Sequence, residues 1–187
     1  MRLYLVTILL DWFFFAFVLV GVQRRGASVL IVLGDHWHSV RQVLRDIGIA
    51  AGFWIVAALL LWVFARLLRT AALGRNLQFI LPHGATEITL WLPFSVTAGI
   101  CEETIFRGYL QRQFMALTKC APAGVLLSAA AFGAWHAYQG FRLVILISLY
   151  GAMLGILAYW RRSVRPGMIV QAWRDSLTGV LGSLMRR

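Results

Sequence analysis

Cys101-Glu102-Glu103-Thr104-Ile105-Phe106-Arg107-Gly108 places two adjacent carboxylates and an arginine inside one of the most apolar parts of this chain. Ile88 to Ile100 carries no charge, and Tyr109, Leu110, Phe114 and Met115 resume the apolar pattern on the other side. An ionisable side chain at the centre of a bilayer costs on the order of 2.5–3.5 kcal/mol even on insertion scales, so such groups face one another or a wet cavity and mark a functional site. On a helix, Glu103 and Arg107 are four apart and share a face, while Glu102 points about 100° away, on the side of Phe106. Glu103 and Arg107 can therefore neutralise each other as a buried ion pair, leaving Glu102 free for chemistry. The plain alternative is a structural knot in which all three lock helices together.

The composition around this stretch is that of a membrane protein: of 187 residues, 60% are hydrophobic and 13% charged, with a mean hydropathy of +0.76. A formal net charge of +11 raises the question of nucleic acid. The arginines, however, gather at the ends of apolar runs, at Arg24 and Arg25, Arg66 and Arg69, Arg161, Arg162 and Arg165, and Arg186 and Arg187. These are the places of membrane-flanking anchors, so lipid is the expected partner and nucleic acid is not. Basic residues flank both sides, and the positive-inside rule selects no orientation. Cys101 and Cys120 have no metal spacing and are too few for a disulfide framework. Cys101 is read as a small buried apolar residue, not as a nucleophile.

The expected fold class is all-α, a polytopic membrane bundle of about six transmembrane helices. Leu3 to Val22 is long enough to span, with Asp11 as its only charge, and is read as a retained first helix because its apolar region is too long for a signal peptide and no small-residue cleavage site precedes Gln23. Residues 23–46 form a polar connection in which Val29 to Leu33 is a strand or an interfacial segment. Asp35-His36-Trp37-His38 invites a metal reading, but two histidines at alternate positions of a loop are read as an interfacial feature. Ile47 to Ala65 is the clearest span. Arg66, Arg69 and Arg75 follow at an interface, and Thr86-Glu87 starts a third helix that runs beyond Gln111 with a bend near Pro93.

Pro122 suits the first turn of a fourth helix ending near Tyr138, rich in small residues that let helices approach closely. Gln139-Gly140 then turns the chain into an antiparallel fifth helix, Arg142 to Trp160, with Gly151 and Gly155 on one packing face. The last helix runs from Met168 to about Leu184. The domain division expected is 1–86 for the N-terminal helices and loops and 87–187 for the core, joined in one membrane domain.

The polar residues set within apolar helices are Glu102, Glu103 and Arg107 on the third, His136 on the fourth, and Gln171 with Asp175 on the sixth. Singly, His136 reads as a satisfied core histidine and Gln171 as a packing hydrogen bonder. Together they hold the parts of a hydrolytic site: a carboxylate base, an imidazole to orient water, and an amide donor for an oxyanion. Glu102-Glu103-x-x-x-Arg107-Gly108 followed by Phe132-x-x-x-His136 resembles the first two motifs of the CPBP family of intramembrane proteases. That family includes the type II CAAX prenyl endopeptidases and bacteriocin-processing or immunity proteins. Arg165 to Asp175 resembles its third motif, and the likeness covers Glu87 to Leu184.

The resemblance implies Glu102 as general base, His136 as its partner on water, and Glu103 with Arg107 as a structural ion pair. Position 171 would polarise the scissile carbonyl, with Asp175 accepting from the Gln171 amide one turn on. The chain departs from the family at Gln171, where the family has histidine. Glutamine donates a hydrogen bond but is a poor zinc ligand. The expectation is therefore a site needing no cofactor, with Zn2+ on Glu102 and His136 as the alternative. The expected substrate is a peptide or lipidated protein at the membrane, by the resemblance that of a bacterial cytoplasm. Two function classes stand: an intramembrane endopeptidase, and a catalytically silent scaffold or immunity protein that has lost the histidine. A small transporter or proton channel fits less well, because the polar groups converge at one depth and do not line a path. Oligomeric state is not encoded in any of these features.

Overall fold

The computed structural model describes residues 2–34, 36–69 and 80–184. Asp35 of the acid-histidine run and the flanking arginines Arg75, Arg186 and Arg187 lie outside the described residues. Among the described residues there is no strand, and the chain is an all-α membrane helix bundle. Its helices are α1 (Arg2–Arg24), α2 (Val29–Leu33), α3 (Val40–Leu67), α4 (Gly84–Glu102), α5 (Gln111–Thr118), α6 (Ala121–Trp135), α7 (Phe141–Arg161) and α8 (Arg165–Leu184). Among the described residues α1, α3 and α7 are long and apolar enough to cross a membrane by length and composition alone, and α6 is a shorter apolar helix. Of the six transmembrane helices expected, α1, α3 and α7 meet that measure; the other three correspond to α6, of 15 residues, and to α4 and α8, which reach 19 and 20 residues but carry the polar side chains of the site.

The buried residues of α1 are Tyr4, Asp11, Val18 and Val22, a single stripe at helical spacing, while Leu9 and Phe17 are each 70% exposed and face the lipid. Residues 23–46 hold more helix than their polarity suggests. Ser28 Oγ accepts the Leu30 N–H at 3.2 Å, and Gly34, at φ +84°, returns its own N–H to Leu30 O at 2.7 Å, so Val29–Leu33 is a capped helical turn and not a strand. α3 starts at Val40, seven residues before the apolar run, because Ser39 Oγ accepts the Gln42 N–H at 3.3 Å. α4 likewise starts at Gly84, ahead of Thr86, with the His83 N–H donated to Glu87 Oε2 at 2.8 Å. Pro93 sits inside α4 and Pro122 in the first turn of α6.

α1 and α8 both pack on α4, α6 packs on α7, and α3 closes against α7 and α8. The small residues make these approaches possible. A side chain at Gly151 would meet Phe132 and Ala129, and one at Gly155 would meet Gln111 and Val125, so the paired glycines of α7 are the seat for α6 and for the helix ahead of it.

Asp46 ties three separate pieces of chain together at one end of the bundle. It is 4% exposed, accepts from Trp37 Nε1 at 2.9 Å and pairs with Arg161 Nη2 at 3.1 Å, while Arg165 lies over the Trp37 ring at 4.8 Å. Trp37 thus serves as an anchor between helices. Asp46→Ala would leave the half-exposed Trp37 indole N–H and the part-buried Arg161 guanidinium without their acceptor, and is expected to lower unfolding stability in micelles by about 1 kcal/mol. A thermal or chemical unfolding curve unchanged from wild type would show that the network holds nothing.

Candidate active site

Between α4 and α5 the helix does not break but widens. Glu103–Leu110 is π-helical, with the Gln111 N–H reaching back five residues to Phe106 O. Such segments are rare and collect at functional sites, since they re-aim side chains within a continuous rod. Two hydroxyls add hydrogen bonds to the carbonyls at the junction: Thr104 Oγ1 donates to Ile100 O at 2.7 Å, and Ser128 Oγ on α6 donates to Phe106 O at 2.6 Å.

At this segment the two adjacent glutamates point to different partners. Glu103 Oε1 and Arg107 Nη1 approach to 2.7 Å with both side chains 0% exposed. The Arg107 guanidinium lies 4.1 Å from the centre of the Phe132 ring, so its charge is shared between a carboxylate and an aromatic face. Gly167 is required opposite: a Cβ there would run into the Glu103 carboxyl group.

Glu102, the last residue of α4, turns the other way and meets groups from two more helices. Gln171, 2% exposed on α8, donates its Nε2 hydrogen bond to Glu102 Oε2. The Gln171 amide, expected to donate to Asp175, donates to Glu102. The other oxygen, Glu102 Oε1, stands 3.9 Å from His136 Nε2. The fourth helix, expected to end near Tyr138, stops three residues sooner. α6 ends at Trp135, and His136 caps it, with Nδ1 2.9 Å from Phe132 O, before a 3-10 turn at Ala137–Gln139. The imidazole is thus fixed by the carbonyl that the end of the helix leaves open.

These groups line one cavity of about 460 Å3, whose walls are otherwise mainly apolar and aromatic. Asp175 lines it too, and its backbone carbonyl accepts the Trp91 indole N–H at 2.7 Å, pinning α8 to α4. Arg174, on the same wall, lies over the Tyr150 ring at 4.4 Å. Sequence reading passed it over, although its position three residues after Gln171 and beside Asp175 was the available signal. Asp11 of α1, left without a partner by the sequence, lines the cavity as well.

The donor set makes a poor zinc site. Glu102 and His136 are two suitable ligands, but the third converging side chain is an amide whose nitrogen is turned to Glu102, and among the described residues no three His, Cys, Asp or Glu side chains come together around one point.

A membrane helix bundle thus brings a carboxyl group, an imidazole and an amide to the wall of one cavity. Residues 84–177 match the family model of the type II CAAX prenyl endopeptidase Rce1-like proteins, and the chain belongs to that family of intramembrane proteases. No curated protein and no solved structure matches the chain. All of α4, α6 and α7, and α8 as far as Leu177, fall inside the matched segment, whereas α1 and α3 lie outside it.

The ion pair predicts an asymmetric pair of variants. Arg107→Ala leaves Glu103 sealed and uncompensated and is expected to destabilise the protein by about 3–5 kcal/mol. Replacing both partners together, Glu103→Leu with Arg107→Met, is expected to restore much of that loss in the same unfolding assay. A double variant as unstable as Arg107→Ala alone would mean that the pair does more than cancel charge.

Proposed function

We propose that the protein is an intramembrane endopeptidase that hydrolyses a peptide bond in a membrane-associated peptide or lipidated protein, using water held jointly by Glu102 and His136. The observation that carries this reading is the 3.9 Å approach of Glu102 Oε1 to His136 Nε2 at the cavity wall. Phe132 O can only accept a hydrogen bond, so Nδ1 carries the imidazole proton and Nε2 presents a lone pair. Two acceptors at this separation suit one water lying off the line between them, at ordinary distances of about 2.8–2.9 Å, giving one hydrogen to each. Its own lone pairs are then turned outward, toward an incoming carbonyl carbon.

In the reaction the water oxygen bonds to that carbon, its proton passes to Glu102, and the carbonyl π electrons move onto the oxygen. Gln171 Nε2 has a second N–H besides the one given to Glu102, and this N–H is the donor for the oxyanion. Collapse of the tetrahedral intermediate breaks the C–N bond as the leaving nitrogen takes the proton held by Glu102. Glu103 and Arg107 set the direction of Glu102 without touching substrate, and Asp175 keeps this part of α8 against Trp91. The chemistry is assigned to the side chains without a metal, on the grounds of the donor set.

Glu102→Gln in the full membrane-embedded chain is expected to lower cleavage of a quenched prenylated CAAX-type peptide about a thousandfold, with the thermal midpoint unchanged or raised. Cleavage at the wild-type rate by this variant would sink the assignment. Chelation by EDTA or phenanthroline is expected to leave the wild-type rate within about twofold; loss of activity restored by zinc would move the mechanism to the metal.

Gln171 supports a second reading, a silent scaffold or immunity protein, since it stands where the resembled family has histidine. Gln171→His separates the two. A wild-type chain without turnover that gains it on this substitution would be silent in nature, whereas wild-type turnover sustains the endopeptidase.

A further inference from the structure

Asp11 is the only charged side chain between Arg2 and Arg24. It is 3% exposed, its Oδ2 is buried without a hydrogen-bond partner, and it lines the cavity that also holds Glu102, His136 and Gln171. The hydrolytic step has no use for it, and it lies outside the matched segment of residues 84–177. A lone carboxyl group part-way along a spanning helix is a standing loss of stability unless something in the cavity meets it. Its place is also fixed: Tyr4, on the same stripe of α1, donates to Ile80 O at 2.6 Å and sets its ring edge-on to Trp91 at 5.5 Å, holding α1 against α4.

A peptide drawn into such a cavity brings a matching need. Each backbone N–H that leaves water must find an acceptor, because neither lipid nor an aromatic wall offers one. We infer that Asp11 accepts a hydrogen bond from a backbone N–H of the bound peptide, which makes α1 the wall that reads the main chain of the substrate while α4, α6 and α8 carry the chemistry. The inference rests on the cavity being a peptide site. A cationic side chain is the less suited occupant, since Arg174 already lines the same space.

The probe is a fluorescent prenylated CAAX-type peptide, titrated by anisotropy into the full chain in nanodiscs, with Glu102→Gln present to stop turnover. Adding Asp11→Leu is expected to weaken binding about tenfold while leaving the thermal midpoint unchanged or raised, because a buried group without a protein partner is removed. Adding Asp11→Asn, which keeps an acceptor oxygen, is expected to bind within about threefold of the parent. Undiminished binding by the leucine variant overturns the inference. A fall in its thermal midpoint also overturns it, by making the role structural, and so does an asparagine variant as weak as leucine, by making the partner a cation. Absence of binding to the Glu102→Gln parent removes the peptide from the cavity and overturns it again. Intact, Asp11-dependent binding beside a wild-type chain without turnover sustains the inference and defeats only the hydrolytic reading.

Discussion

A carboxyl group below the lipid surface has to find its partners inside the protein, and the arrangement of this bundle follows from how two adjacent ones are met. Glu103 is matched within its own helix by Arg107, at 2.7 Å and fully sealed. Glu102 is matched from elsewhere, by the Gln171 amide of α8 and across a short gap by His136 at the end of α6. One carboxyl group therefore builds a rigid rod and the other draws three helices to a single point. Gly167 lets α8 come close enough for both, and Trp91 locks that approach through the Asp175 carbonyl.

Neighbours in sequence serve different ends here because a helix turns them apart: Glu103 shares a face with Arg107 four residues on, and Glu102 points about 100° away. Through the widened segment Glu103–Leu110, Arg107 stays on Glu103 and the Phe132 face, and Glu102 stands at the junction, at the cavity wall. Thr104 and Ser128 supply the hydroxyls that meet the junction carbonyls, so the irregular backbone stays satisfied in a place where water is scarce.

Much of this was legible in the chain because polar residues inside apolar runs are few. The long helices and the ion pair of Glu103 and Arg107 follow from spacing and hydropathy, and the motifs around Glu102, Arg107 and His136 carry the family resemblance. What was not legible has local causes. Residues 23–46 look like a loop because Arg41, Arg45 and Asp46 break the apolar run, yet Ser28 and Ser39 are capping residues and Asp46 turns inward to Trp37 and Arg161. The widening at Glu103 has no periodic signature, since an eight-residue segment is too short to show one. The partner of the Gln171 amide is set by contact between helices. Spacing along α8 favoured Asp175, and tertiary packing supplied Glu102 instead. Asp11 and Arg174 were visible as charges but not as cavity residues, because their neighbours come from other helices.

The central claim is that Glu102 and His136 act on one and the same water. A double-mutant cycle on turnover, with Glu102→Gln, His136→Ala and the two combined, tests it most directly. Groups that share one nucleophile fail together, so the double variant should be no slower than the slower single variant. Losses that multiply, each substitution taking its full toll in the presence of the other, would mean that the two side chains serve separate steps and would contradict the account.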